Sequence, residues 1–324
     1  MDLAALRARE TTSMKTRALL VAISGFLMAL STLAGTAKLH KEHRFAPKPG
    51  GAFKVEASFH DVSVTIKEGA TEVAVVVDAE LTSWPSDAEE ALAAYAPVFQ
   101  ESGDTLLVRC RPKSSMHVGF FNGSGSVVVV LPPGMDLNLD TGSGEITLKG
   151  ENPDRDLTVD TGSGDVRVEG SCKNLEADVG SGRVVVRLSA PAGRVAVDTG
   201  SGDVEFHGEA SEFRGDTGSG SIRAEGLVGR ATFDTGSGDV EAVWSKVPGA
   251  VRIVADTGSG DVFLTFPKNS RLGGEIETSS GKVRCDFPGT ADEQGKSFAL
   301  SGGAGSADLR VDTGSGDVRV ISAP

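Results

Sequence analysis

From Leu157 to Gly170 the chain reads LTVDTGSGDVRVEG. Leu157, Val159 and Thr161 alternate to one side, a Gly-Ser-Gly break follows, and Val166 and Val168 resume the alternation. Period-two hydrophobicity on both sides of a glycine corner predicts strand, turn, strand. The same figure recurs along the chain: Val195, Val197 then Val204, Phe206; Ala231, Phe233 then Val240, Ala242; Ile253, Ala255 then Val262, Leu264, Phe266; Leu309, Val311 then Val318, Val320. The inward column is apolar in every unit, with Thr often standing just before the corner, and the outward partners are Asp, Arg, Glu and Thr.

The corner itself repeats. DTGSG occurs seven times, beginning at Asp140, Asp160, Asp198, Asp216, Asp234, Asp256 and Asp312, and two degenerate copies, DVGSG at Asp178 and ETSSG at Glu277, fill the series. Successive spacings from Asp140 are 20, 18, 20, 18, 18, 22, 21 and 35 residues. A period near 20 marks a repeat architecture. It also disposes of two motif readings. Asp-Thr-Gly-Ser is the short signature of an aspartic protease, but that chemistry needs two facing carboxylates that share a proton, each on its own lobe, and units this short cannot build lobes. A dinucleotide fingerprint fails as well: in GSGDVR from Gly162, Arg167 stands where the third glycine belongs, and strand rather than helix follows.

A unit of 18–22 residues with two short strands cannot bury its own apolar side. Stacked units can, and the expected fold is all-β, a single-stranded parallel β-helix or β-solenoid, with coils about 4.8 Å apart. Parallel crossovers usually run right-handed, so a right-handed solenoid is expected, and positive φ is expected of the corner glycines. Stacking places Asp140, Asp160, Asp178, Asp198, Asp216, Asp234 and Asp256 in one line. Like charges about 4.8 Å apart repel by roughly 0.9 kcal/mol in water and 3.5 at an effective dielectric of 20. The expected offset is an Asx-type turn in which each carboxylate accepts the N–H groups of its own corner; a cation bound between turns is the sharper alternative. A second line, Asp165, Asp203, Asp239, Asp261 and Asp317, follows the corner. In calcium-binding nonapeptides the Asp stands two places after the second glycine; here it follows directly, so structural caps are preferred to ion sites.

The flanks are looser. Residues 53–133 read as an N-terminal cap with degenerate coils, covering an edge that would otherwise pair with other chains. Within it Ser86–Gln100 is the one strong helix candidate, with Ser86 and Glu89 as a capping box and Pro97 limiting its length. Residues 134–324 read as the solenoid, and Pro288–Ala307 as a degenerate turn plus a glycine loop. Before the cap, Met14–Ala37 has Lys15 and Arg17, an apolar run and small residues at Gly35-Thr36-Ala37. Residues 1–37 are therefore expected to be a signal peptide, with Met14 as an alternative start and an uncleaved membrane span as the alternative fate. Residues 38–52, with Lys38, His40, Lys41, His43 and Arg44, read as a basic solvated linker; weak contact with anionic lipid or a metal is its sharper reading.

Composition sharpens the function classes. Glycine numbers 42 of 324 residues and aromatics make up 5%, so the core must be thin and filled by small and β-branched side chains. A net charge of −13 argues against nucleic acid, which wants a basic face. Three cysteines do not make a disulfide framework. Cys110 and Cys285 alternate with apolar neighbours and read as core, while Cys172 reads as a loop residue open to pairing in an oxidising compartment.

The order of features resembles the bacterial β-strand-repeat putative adhesin family, a domain of unknown function found in exported and envelope proteins. The matching stretches are DVSVTI…VAVVVDAE, VVVVLPPGMDLNLDTGSGEI, the serial DTGSGDV units and GGAGSADLRVDTGSGDVRV, spanning about Phe53 to Val320. The resemblance implies a β-helical fold and an envelope setting, with no catalytic residues.

The function expected is thus a non-enzymatic, exported envelope scaffold or adhesion module, in the periplasm or at the cell surface, with an envelope protein, peptide or glycan as partner. No catalytic, cofactor or metal residue is assigned and no cofactor is expected. An envelope-stress sensor that binds cationic peptides through the acidic lines is one alternative. A carbohydrate-active β-helix enzyme is another, but Trp84, Trp244 and Tyr95 are too few and too dispersed in sequence to suggest a sugar groove, and His60, His117 and His207 are scattered.

Overall fold

The structure is a computed structural model that describes residues 35–84, 87–112 and 120–323. The signal-like residues 1–34 lie outside the described residues, as do Ser86 and His117. The chain opens with β1 (Thr36–Phe45), β2 (Ala52–Ala57), β3 (His60–Ile66) and β4 (Val73–Trp84). A short helix α1 (Ala88–Ala93), then β5 (Val98–Ser102), β6 (Thr105–Cys110) and β7 (Phe120–Leu131), complete the N-terminal part. The repeats follow as β8 (Asp136–Thr141), β9 (Ile146–Thr161), β10 (Val166–Val179), β11 (Val184–Leu188), β12 (Ala192–Thr199) and β13 (Val204–His207). They continue as β14 (Ala210–Thr217), β15 (Ile222–Leu227), β16 (Arg230–Thr235), β17 (Val240–Trp244), β18 (Arg252–Thr257) and β19 (Val262–Phe266). The last strands are β20 (Leu272–Thr278), β21 (Val283–Cys285), β22 (Gly289–Ala291), β23 (Ser297–Ser301), β24 (Ala307–Thr313) and β25 (Val318–Ser322).

The coil logic holds. Strands that precede a Gly-Ser-Gly corner pair in parallel into one ladder: β8, the second halves of β9 and β10, then β12, β14, β16 and β18. Strands that follow a corner form the other: the first halves of β9 and β10, then β11, β13, β15, β17 and β19. The register keeps each Asp beside the next, Asp160 against Asp178 and Asp198 against Asp216.

The ends depart from sequence order. β2–β3 is itself a coil, flanked by β6–β7 on one side and β8–β9 on the other. At the far end β24–β25 lies between β18–β19 and β20–β21. Residues 288–307 hold the expected glycine loop at 302–306, but what precedes it is more than a degenerate turn. They include β22 and β23, an antiparallel pair laid along β20, and β5 does the same along β6. These short antiparallel strands cover edges that would otherwise offer free N–H and C=O groups.

The basic segment is a strand rather than a solvated linker. β1 pairs antiparallel with β4 from Thr36 to Phe45 and buries Ala37, Leu39 and Phe45. Apolar residues alternating with the charged ones supply a face to bury, a signal the cluster of charges obscured. Helix α1 starts on Asp87, which accepts the Glu89 backbone N–H at 2.8 Å. This is an Asx-type N-cap; the expected capping-box partner Ser86 lies outside the described residues. The helix packs on β1 and β4 in a small second core with Leu39, Leu81, Leu92, Tyr95 and Phe59.

The main core is thin and continuous. Valine, leucine and isoleucine fill most of it, and an aromatic file runs through the C-terminal half: Phe206, Phe213, Phe233, Trp244, Phe266 and Phe287, with successive ring centroids 5.0, 5.4, 6.1, 4.5 and 6.1 Å apart. Trp244 is thus a buried core residue, its indole N–H donating to the Gly229 carbonyl at 3.2 Å. Cys172 is buried within β10 rather than in a loop, Cys110 is buried, Cys285 is half-buried, and all three are free thiols.

Candidate functional site, the corner ridge

At every corner but that of Asp178, where Val179 stands, Thr does the work that the sequence reading gave to the first Asp. The Thr side chains at 141, 161, 199, 217, 235, 257, 278 and 313 are all buried. Thr235 Oγ1 donates to the Gly220 carbonyl of the neighbouring coil at 2.9 Å and accepts the N–H of Gly238 in its own corner at 3.0 Å. Thr217, Thr257, Thr278 and Thr313 repeat both bonds. One hydroxyl therefore closes the corner and ties it to the next coil. Nothing in a hydropathy pattern separates this Thr from an inward valine; only its constant place before the glycines hints at a hydroxyl role.

The second Asp of the motif ties coils as well. Asp203 Oδ1 accepts the Ser221 N–H at 3.0 Å, Asp239 Oδ1 accepts that of Asp261 at 2.8 Å, and Asp261 Oδ1 accepts that of Asp317 at 2.7 Å. Asp61, Asp165 and Asp317 do the same for Glu145, Arg183 and Lys282. This column is structural, as expected of caps, but the bonds run between coils rather than within one.

The corner glycines serve close approach. A Cβ on Gly202 would lie 1.8 Å from the Gly182 carbonyl oxygen, and the other second glycines of the motif are placed alike. Their φ values are not in the positive region that was expected; that conformation falls at the opposite bend, at Gly150, Gly170, Gly208 and Gly226.

The first Asp is left outward and without a corner to cap. Register aligns Glu56, Asp140, Asp160, Asp178, Asp198, Asp216, Asp234, Asp256, Asp312 and Glu277 along a single ridge. At its N-terminal end Arg109 reaches Glu56 at 2.6 Å and Arg111 reaches Asp140 at 2.6 Å and Glu56 at 3.4 Å. Midway Arg214 lies 3.3 Å from Asp216. Among the described residues no ion pair reaches the other ridge aspartates from Asp160 to Asp312. Partial burial, then the neighbouring carboxylates, raise Asp160, Asp198 and Asp234 above the usual Asp value. Glu277 is raised by Glu275 first, and Glu56 is lowered by its bond from Arg109.

The face beyond the corner is different. There charges alternate in sign between coils: Arg187 pairs with Glu205 at 2.7 Å, Arg223 with Glu241, and His207 bridges Glu205 at 2.8 Å and Glu225 at 3.2 Å. One face is thus compensated and the ridge is not. Among the described residues no group of three or more His, Cys, Asp or Glu is arranged to hold a metal ion.

A shallow groove of about 480 Å³ crosses β1, β4 and β7, lined by Lys38, His40, Asp78, Glu80, Ser124 and Ser126 among others. Its acids are matched to bases, Lys38 to Glu80 at 2.9 Å and His40 Nδ1 to Asp78 at 2.6 Å. Beside it lies a feature the sequence did not mark. His60 occupies the place of a corner glycine in β2–β3, is fully buried against Phe59, and neither ring nitrogen has a hydrogen-bond partner. Burial pushes its pKa down to about 4.

The Toastrack DUF4097 family model matches residues 54–321. The chain belongs to that family. The corner ridge and both ladders lie within the matched Toastrack region. Among solved structures, a "putative adhesin" from Parabacteroides distasonis ATCC 8503 is similar at 13% identity, covering 88% of this chain and 97% of that one with a TM-score of 0.51, a likeness of fold. A "putative lipid binding protein" from the same strain gives 15% identity, 88% and 96% coverage and a TM-score of 0.49. No match was found among curated proteins. Among the described residues no helix is long and apolar enough to cross a membrane.

Proposed function

We propose that this Toastrack chain is a non-enzymatic, exported cell-envelope module that works as a rigid scaffold and presents the acidic ridge as its contact surface. The observation that carries the reading is the division of labour within the corner. Thr, the glycines and the second Asp are consumed in holding coils together, whereas the first Asp makes no backbone bond and still recurs in nearly every coil. A column of carboxylates about 4.8 Å apart costs repulsion. A polycationic partner, such as a basic peptide, would relieve it, and this favours the peptide-binding reading over a purely structural rod.

The test uses an oligolysine peptide as probe. Binding at low ionic strength that weakens steeply with salt, and that is lost when Asp178, Asp198 and Asp234 are changed together to Asn, supports the ridge as the contact surface. Equal binding by the triple variant assigns the contact elsewhere. A carbohydrate-active enzyme is the weaker reading: the groove over β1, β4 and β7 is shallow and its Asp78 and Glu80 are each engaged by a base. Release of reducing ends from envelope glycans by the purified chain would reverse that judgement.

A further inference from the structure

His60 stands at a seam between the two cores. Register sets His60 beside Gly125, Gly125 beside Ala79 and Ala79 beside Leu39, one row across β3, β7, β4 and β1. On one side of that row Val62, Val77 and Val127 belong to the main core. On the other, Leu81, Leu92 and Tyr95 belong to the second core, with Phe59 packed against it. The strands that carry the row run on past it as a lobe: residues 36–40 of β1, 78–84 of β4 and 120–126 of β7, closed by α1.

The His60 ring stacks on Phe59 with centroids 4.5 Å apart, and Phe59 meets Tyr95 at 4.9 Å. A Cβ on Gly125 would come 2.6 Å from His60 Cδ2, so the bare strand makes room for the ring. Leu39, Ala79 and Gly125 also line the shallow groove on the outer face, which leaves the seam thin. A neutral imidazole carries one donor and one acceptor, and here both are buried without a partner. An apolar side chain would fill the place without that cost.

The surrounding groups do not compensate a proton on the ring. Asp61 and Glu145 are exposed, and Asp61 Oδ1 is taken by the Glu145 N–H at 2.9 Å. Asp78 on β4 is exposed and holds His40 at 2.6 Å, and Glu56 on β2 holds Arg109 at 2.6 Å. Opposite the ring β7 offers glycine. Burial raises the phenol of Tyr95, beyond α1, and the thiol of Cys110 on β6, which keeps both neutral. Asp61 favours the imidazolium, and burial outweighs it.

We propose that this seam is an acid-responsive joint: protonation of His60 releases the lobe formed by residues 36–40, 78–84, α1 and residues 120–126, while the solenoid stays folded. The lobe is the weaker body. Three of its seven buried core members are alanine, so it has little apolar area to lose. Its edge strand β1 pairs with β4 alone among the described residues, whereas strands such as β14 and β16 are paired on both edges. Water reaches the charged ring once the lobe lifts, so opening is local before it is global. The joint is independent of what the ridge binds.

Hydrogen exchange of the full chain at pH 7.5 and 4.5, corrected for the chemical rate at each pH, tests it. The open lobe binds a proton that the closed one refuses, so opening grows as pH falls from 6.5 towards about 4. Between the two conditions the opening equilibrium should rise roughly 70-fold. Lobe amides such as Ser83, which donates to the Gly35 carbonyl, and Ala91 in α1 should lose protection by that factor relative to β14 and β16. His60→Leu should give the same lobe protection at both pH values, and so should His60→Gly, which restores the residue of the other corners. If Leu crowds the seam and prevents folding, Gly carries the comparison. The proposal is overturned if the wild-type lobe keeps its protection at pH 4.5, if lobe and solenoid lose it together, or if the variants show the wild-type drop.

Discussion

The backbone N–H of Asp317 donates to Asp261 Oδ1 at 2.7 Å, across 56 residues of chain. Two motif copies that are far apart in sequence are thus joined by the same bond that joins consecutive ones. Replacing Asp261 by Ala removes the acceptor and leaves that amide to water. A loss of about 1 kcal/mol is expected in denaturant unfolding, with Asp261→Asn keeping most of the stability through its carbonyl oxygen. Equal losses for Ala and Asn would show that charge, not the bond, matters at this site.

Thr235 offers a harsher test, because its hydroxyl is buried and serves two bonds. Thr235→Val keeps the shape and strands the Gly220 carbonyl and the Gly238 N–H, at an expected cost of roughly 1–3 kcal/mol. Thr235→Ser should cost less. An unfolding curve in which Val matches wild type would remove the joint from the account.

The placing of that hydroxyl shows what a sequence carries and what it hides. Period-two alternation around Gly162–Gly164 revealed strands, corner and stacking because burial and pleat leave a direct trace in residue type. The identity of the bonded group did not: the alternation puts Thr161 inward and Asp160 outward, but both are able to cap a turn and the pattern does not say which oxygen takes the corner N–H. Coil order was hidden for a related reason. Val311–Val320 reads like any internal unit, and nothing local tells it to enter between Asp256 and Glu277 rather than follow Glu277. The strand at Thr36–Phe45 was masked by its charges, and His60 by the loss of the glycine whose place it takes.

Acidification acts through His60 with a definite sign. Its folded pKa of about 4 lies below the ordinary 6.5, so below pH 6.5 the unfolded chain binds a proton that the native one refuses. Stability is full above that pH and is lost progressively down to about pH 4, by roughly 3 kcal/mol in all. His60→Leu should flatten this limb of a stability-versus-pH curve. An unchanged slope would assign it to other groups.

The ridge works in the opposite sense. Asp160, Asp198 and Asp234 hold their protons more tightly in the fold than in the unfolded chain. They therefore weaken the native state at neutral pH and cease to do so as pH falls through the carboxylate range. Asp198→Asn is expected to raise the melting temperature slightly at pH 7 and to leave it unchanged near pH 3, with high salt shrinking the difference. A drop at pH 7 would mean that this carboxylate has a favourable partner.

Calcium gives a further check. With the second Asp column spent on backbone N–H groups of adjacent coils, millimolar Ca²⁺ should leave the thermal midpoint where it is. A saturable rise would mean that the ridge carboxylates bind the ion between turns.

The central claim is that the recurring corner is a joint which ties each coil to its neighbour. Amide hydrogen exchange at Gly220, Gly238, Gly260 and Gly316, the N–H groups that donate to Thr oxygens, tests it most directly. The account predicts that these four amides exchange only with global unfolding, as slowly as the strand interiors beside them. Exchange as fast as in the exposed loop Gly302–Gly305 would contradict it.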